Sequence, residues 1–131
     1  MPAGLVEIVT KSTNRSVEET VNRFVDTIST KGLRLFDVID QRAEAREVGL
    51  DLRETVLVLF GDPRAGTPVM ASSPLIALDL PLKVLVWSDA GKTKVSYESP
   101  LSLAARHHLQ GEFARNLDGI DALTDALVAF A

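Results

Sequence analysis

Hydrophobic positions recur along this chain with two periods, near two in some stretches and between three and four in others, and the switches between them lay out the predicted elements. Leu5 to Thr10 is rich in β-branched residues and reads as a strand, followed by polar loop from Lys11 to Arg15. Ser16 and Glu19 form a capping-box pattern, after which Val17, Val21, Phe24, Val25 and Ile28 fall on one helical face until Lys31-Gly32 stops the helix. Leu33 to Ile39 is a second strand, Asp40 to Val48 a short helix closed by Gly49, and Glu54 to Phe60 a third strand. This third strand is apolar on both faces, which places it inside a sheet rather than at its edge.

Gly61 to Gly66 reads as a turn-rich loop, with Thr67-Pro68 as N-cap and first residue of a short helix that runs to Ser73 and ends at Pro74. Leu80 to Ser88 is a fourth strand with Pro81 at its start, where a missing donor is tolerated. Asp89-Ala90-Gly91-Lys92 is a hairpin loop in which Gly91 supplies a positive φ. In the fifth strand, Thr93 to Glu98, Val95 and Tyr97 face one side and Lys94, Ser96 and Glu98 the other. Pro100 to His107 is a helical turn or two, and Glu112 to Phe130 reads as one last helix with Phe113, Leu117, Ile120, Leu123 and Leu127 on its apolar face. With no repeat or linker, the order predicts a single α+β domain. Its architecture is a two-layer sandwich, a mainly antiparallel sheet with two long helices on one face. Two helices cover one face only, yet the third and fourth strands are apolar on both. A second subunit or the short helices must cover the rest, and the expectation drawn is a homodimer.

Composition narrows the function classes. The chain has 131 residues, 46% of them apolar, enough for one real core. Its formal net charge of -4, with no basic cluster carrying interleaved aromatics, argues against nucleic acid and against anionic membrane as partners. Cysteine is absent, which excludes disulfides, iron–sulfur clusters and thiol nucleophiles. No signal-peptide pattern opens the chain and no apolar run approaches the roughly 18 residues of a membrane span, so a cytoplasmic location is the default expectation. None of G-x-S-x-G, H-E-x-x-H or G-x-G-x-x-G occurs, and no cofactor is expected.

Two stretches carry a resemblance. Leu59-Phe60-Gly61-Asp62-Pro63-Arg64-Ala65-Gly66-Thr67-Pro68-Val69-Met70 resembles the FGNP-x-x-GTPLM run of the family called domain of unknown function 302, and Asp79-Leu80-Pro81-Leu82-Lys83-Val84-Leu85-Val86-Trp87 resembles its DLPLK-x-LVW run. Val38-Ile39-Asp40, Ala45 to Leu50, Val95-Ser96-Tyr97, Pro100 and Ala105-Arg106-His107 continue it. The resemblance implies a TATA-binding-protein-like β-α-β4-α architecture and a tendency to dimerise. It implies no activity, substrate or catalytic residue, and the fold name carries no DNA-binding function. Two positions depart: Gln41 stands where many members have histidine, and Asp62 where asparagine is usual.

Candidate site residues follow from local chemistry. Gly61 to Thr67 lacks the lysine of a phosphate loop, which rejects a nucleotide triphosphatase. A glycine-containing loop entering a helix can still bind an anion through backbone N–H groups, which makes Arg64, Gly66 and Thr67 candidates; a structural turn with an N-cap is the plainer reading. Lys83 stands among apolar residues on a strand and must snorkel, pair or reach a cleft. Asp79, roughly 13 Å away along an extended strand, is expected to be too far to be its partner. Arg106 and His107 end a short helix, where a cation suits the dipole, and His107 is also an acid–base or ligand-contact candidate. Adjacent His107 and His108 do not share a helical face, so a zinc site is rejected. Tyr97 offers a hydroxyl, more often a core residue with a wet tip. The leading reading is a dimeric module binding a small polar or anionic ligand where the 61–70 loop, Lys83 and the 106–108 turn converge. The others are a small enzyme using His107 or Lys83 as acid–base and a purely structural or partner-binding dimer; the reading leans away from an enzyme.

Overall fold

The structure is a computed structural model that describes residues 6–129. Leu5, the side chain of Phe113, and Phe130, all assigned from sequence to the first strand or last helix, lie outside the described residues. Strands β1 (Ile8–Thr13), β2 (Arg34–Asp40), β3 (Thr55–Gly61), β4 (Leu82–Asp89) and β5 (Lys92–Glu98) form one sheet in the order β1-β5-β4-β3-β2. Every neighbouring pair is antiparallel. This is the α+β sandwich expected from the periodicities.

Helix α1 (Val17–Thr30) begins where the capping box predicts, with the Ser16 hydroxyl accepting from the Glu19 amide at 3.1 Å. Gly32 ends it with φ 71°. Helix α2 (Gln41–Glu47) is capped by the Asp40 carboxylate. Helix α3 (Pro63–Ser72) departs from the expected loop: Asp62, not Thr67, is its N-cap, accepting from the Arg64 amide at 3.0 Å, and Pro63 rather than Pro68 takes the first turn. Pro68 therefore sits inside the helix. A 3-10 turn, Pro74–Leu78, follows, then a cis Leu80–Pro81 bond leads into β4. Helix α4 (Pro100–Arg106) is capped by Ser99.

The expected single C-terminal helix is two, α5 (Glu112–Arg115) and α6 (Gly119–Val128). Its apolar stripe serves two cores, which is the physical reason for the break. Ile120 and Leu127 pack with Val17, Phe24 and Ile28 of α1 against Val58, Phe60, Val84, Val86, Val95 and Tyr97 of the sheet. Leu117 instead joins a second cluster with Val69, Ile76, Leu103 and Ala104. The β1 segment also shifts: Lys11, Ser12 and Thr13, expected as loop, pair with Val95, Lys94 and Thr93.

Helices α1 and α6 thus cover one face of the sheet. On the other, Leu57, Leu59, Leu85 and Trp87 are only half-buried and Ile8 is exposed. At the β2 edge the register with β3 shifts between Leu35 and Asp37, and the Asp37 carboxylate accepts from the Val38 amide at 2.8 Å.

Candidate functional site

The helix-free face ends in a cluster of charged side chains. Glu98 closes β5, and the turn through Ser99 and Pro100 folds α4 back so that Arg106 lies over it. Arg106 forks onto the Glu98 carboxylate, Nε to Oε2 at 2.8 Å and an Nη to Oε1 at 2.7 Å. The same Nη lies 3.2 Å from Asp79 Oδ2, and His107 Nε2 lies 2.6 Å from that oxygen. The Ser102 hydroxyl donates to Glu98 Oε2 at 2.8 Å and accepts from the Glu7 amide at 2.9 Å. One guanidinium therefore ties two carboxylates from distant parts of the chain, with a bidentate geometry that lysine could not reproduce.

The protonation equilibria follow from this packing. Burial pushes the Asp79 carboxyl up, but hydrogen bonds to His107 and Arg106 outweigh it and hold it below the usual range. The Arg106 hydrogen bonds hold Glu98 low against the opposing effect of burial. Glu98 in turn makes the Arg106 guanidinium harder still to deprotonate.

Lys83 is exposed and its Nζ donates to the Asp79 backbone carbonyl at 3.2 Å. The expected separation from Asp79 does not apply, because β4 starts only at Leu82 and residues 79–81 turn instead of extending. Lys83 and His107 are thereby brought to the same residue. Beside them a hollow of about 490 Å³ is lined by Leu57, Lys83, Leu85, Trp87 and Ser96 of the open face and also by Leu82, Tyr97 and Ile120 of the helix-side core. Its polar floor is internally paired: Trp87 Nε1 donates to the Ser96 hydroxyl at 2.9 Å, which also lies 2.9 Å from the Thr10 hydroxyl.

The remaining candidates sit elsewhere. Arg64 and Thr67 are exposed on α3, where the Asp62 carboxylate already occupies the capping position that an anion would take. Gly66 lines a separate apolar cavity with Gly61, Met70 and Leu80. Tyr97 faces the helices, its hydroxyl hydrogen-bonded to Asp121 of α6. Lys11 reaches the same spot: burial would lower its ammonium, but Asp125 and Tyr97 outweigh this and hold it high. The structure therefore groups Lys83, Arg106 and His107; Tyr97 borders the same hollow as Lys83 although its hydroxyl is turned to Asp121, and Arg64, Gly66 and Thr67 lie apart. Asp79 and Glu98, the acidic half of the cluster, were missed as site residues. Glu98 alternates onto the polar side of a strand and reads as solvated, and no spacing rule links Asp79 to His107. Among the described residues no group of three or more His, Asp or Glu side chains could hold a metal ion.

Residues 8–127 match the family described as Domain of unknown function DUF302. The chain belongs to this family. A solved DUF302 structure, that of an uncharacterized conserved protein from Bacillus stearothermophilus, superposes with a TM-score of 0.78 at 20% identity, covering 92% of this chain and 94% of that one. That likeness shows the fold. Among curated proteins, "Fluoride-specific ion channel FluC 1" of Brucella suis biovar 1 is 39% identical over 103 residues, which is 78% of this chain but 41% of that protein. The protein of the same name in Brucella abortus biovar 1 is likewise 39% identical, over 38% of its length. The chain thus spans about two-fifths of the length of these relatives. Among the described residues no helix is long and apolar enough to cross a membrane.

Proposed function

We propose that this domain is a homodimeric binding module that pairs through its helix-free sheet face and takes a small polar or anionic ligand at the rim of that face, through Lys83. The observation that carries this reading is the composition of the face itself. Leu57, Leu59, Leu85 and Trp87 form a contiguous apolar strip with no long helix over it, and a contiguous apolar surface is the usual mark of an interface. At its rim Arg106 is already committed to Glu98 and Asp79, which leaves the exposed Lys83 ammonium as the cation free to meet a ligand.

Light scattering coupled to gel filtration tests the first half: wild type elutes as a dimer and Leu85→Glu as a folded monomer with unchanged far-UV circular dichroism. A monomeric wild type at about 100 μM, a concentration well above the Kd of a specific dimer, sinks it. Thermal shift against phosphate, sulfate, citrate and fluoride tests the second, with Lys83→Met expected to abolish any shift. Fluoride belongs in the panel because the longer Brucella relatives bear a fluoride-channel name. A dimer with no shift for any anion leaves a purely structural or partner-binding dimer.

The short His107–Asp79 pair favours a second reading, a small enzyme in which His107 or Lys83 moves a proton. It requires a substrate whose turnover falls in His107→Gln or Lys83→Met while its binding persists; equal loss of binding and turnover returns the residue to a contact role.

A further inference from the structure

The Asp79–Lys83 segment also borders the apolar cavity that contains Gly61 and Gly66. Its volume is about 340 Å³, and Leu80, Pro81 and Leu82 form one wall while Met70, Leu117 and Leu123 lie among the others. The exposed members of the lining, Phe36, Pro63, Asn116 and Gly119, mark where it opens to solvent. Its side-chain chemistry is almost wholly hydrocarbon. Asp62 and Asn116 are the polar side chains in the lining, and both serve the local backbone: Asp62 Oδ1 accepts from the Arg64 amide, and Asn116 Nδ2 donates to the Ala65 carbonyl at 3.2 Å.

The two glycines supply an independent observation. Gly66 lies inside α3, and neither it nor Gly61 has a positive φ, so the backbone conformation does not call for glycine at either place. Glycine is the poorest helix former short of proline. Nor do close neighbours require it. A Cβ on Gly66 would meet Leu80 Cδ1 at 3.9 Å and Met70 Cε at 4.0 Å, and one on Gly61 would meet Phe36 Cε2 and Pro81 Cβ at 3.8 Å, all ordinary contacts with other lining residues. Alanine would fit at both positions and would narrow the same cavity. The fold alone explains neither glycine; an occupant of the cavity explains both.

We propose that this cavity binds a compact, uncharged hydrocarbon body of two to three aromatic rings or the equivalent length of acyl chain. The size follows from its volume, about twice the roughly 150 Å³ of an apolar cavity that holds benzene. The absence of charge follows from the lining, whose one ionisable side chain, Asp62, already caps α3 while the rest is hydrocarbon against which desolvating an ion is costly. This site does not rest on the dimer, and although it shares Leu82 and Ile120 with the hollow beside Lys83 it selects the opposite chemistry.

N-phenyl-1-naphthylamine, a neutral fluorophore that brightens and shifts to the blue in apolar surroundings, is the probe. Wild type is expected to bind it saturably, and Gly66→Leu to weaken binding by tenfold or more while keeping native circular dichroism. Gly66→Ala should raise Tm by about 4 °C and weaken the probe measurably. Leu85→Glu, on the open sheet face, should leave probe binding unchanged. A direct readout on wild type stands beside the variants: the chain has 2 methionines, Met1 and Met70, so a methyl-labelled sample reports the cavity through one resonance. Probe saturation should move the Met70 methyl by ring-current shift. Unchanged Met70, or probe binding lost in Leu85→Glu and kept in Gly66→Leu, overturns the proposal.

Discussion

The five residues from Asp79 to Lys83 border two unlike environments. In one, Asp79 and Lys83 belong to a cluster in which donors and acceptors are matched one against another: Arg106 with two carboxylates, His107 with Asp79, Ser102 with Glu98. In the other, Leu80, Pro81 and Leu82 wall a cavity in which neighbours fail to meet. The first is held by directional contacts that are expensive to leave half-made; the second keeps space at the expense of dispersion contacts. Directional pairing and apolar space thus meet at one strand entry, so damage to the charged cluster reads out differently from damage to the cavity wall.

The largest expected effect contrasts two apolar truncations in the same cluster. Ile76→Ala, at a fully buried site, should cost about 4 kcal/mol, and Leu80→Ala, beside existing empty space, about 2 kcal/mol by urea denaturation. Equal costs would mean that the cavity collapses in solution. Next, Arg106→Leu should destabilise by about 2–3 kcal/mol, since it leaves Glu98 and Asp79 facing each other without a cation; Arg106→Lys should recover part of this, a point charge replacing a fork.

A smaller effect is pH-dependent. Asp79 and Glu98 are held below their ordinary values in the folded protein. Their contribution is therefore fully present above the unfolded carboxylate range and lost as pH falls through the depressed native values. Stability should be flat from neutrality to about pH 5 and decline below about pH 4, and Asp79→Asn should cost about 1 kcal/mol at pH 7 while flattening the decline. The smallest effect is at Lys83: Lys83→Met should change stability by less than about 0.5 kcal/mol, because the ammonium is exposed and meets one carbonyl, so any loss of ligand response in that variant is a loss of contact and not of fold.

The sheet and the first helix were legible because their signals are local. Ser16 caps, Gly32 stops, and β3 and β4 alternate apolar residues on both faces, as central strands do. The misreadings share one cause: a local pattern satisfied by more than one tertiary arrangement. Thr67-Pro68 looks like a helix start, but Asp62-Pro63 offers the same signal earlier and with a better acceptor. The stripe Leu117, Ile120, Leu123, Leu127 keeps helical spacing across a break, because two cores happen to lie in register with it. Of the site, Lys83 was visible as a cation in apolar company and Arg106-His107 as a cationic helix end. Their acidic partners were invisible, since His107 and Asp79 are 28 positions apart and only the folded chain joins them. The cavity left no mark beyond its glycines, which resemble turn residues until α3 is seen to run through Gly66.

The shifted register at β2 has a consequence for how copies of this chain can meet. An edge strand normally offers a row of free amides to any passing strand, and growth from such a row has no natural end. Here the Asp37 side chain takes up the Val38 amide at 2.8 Å, at the point where β2 slips against β3. A newcomer seeking to extend the ladder finds the Val38 rung occupied beside the point where the strand slips. With that rung taken, lateral growth from the β2 edge is disfavoured, and the pairing proposed above would be left to the broad face of the sheet, where one partner would saturate the surface.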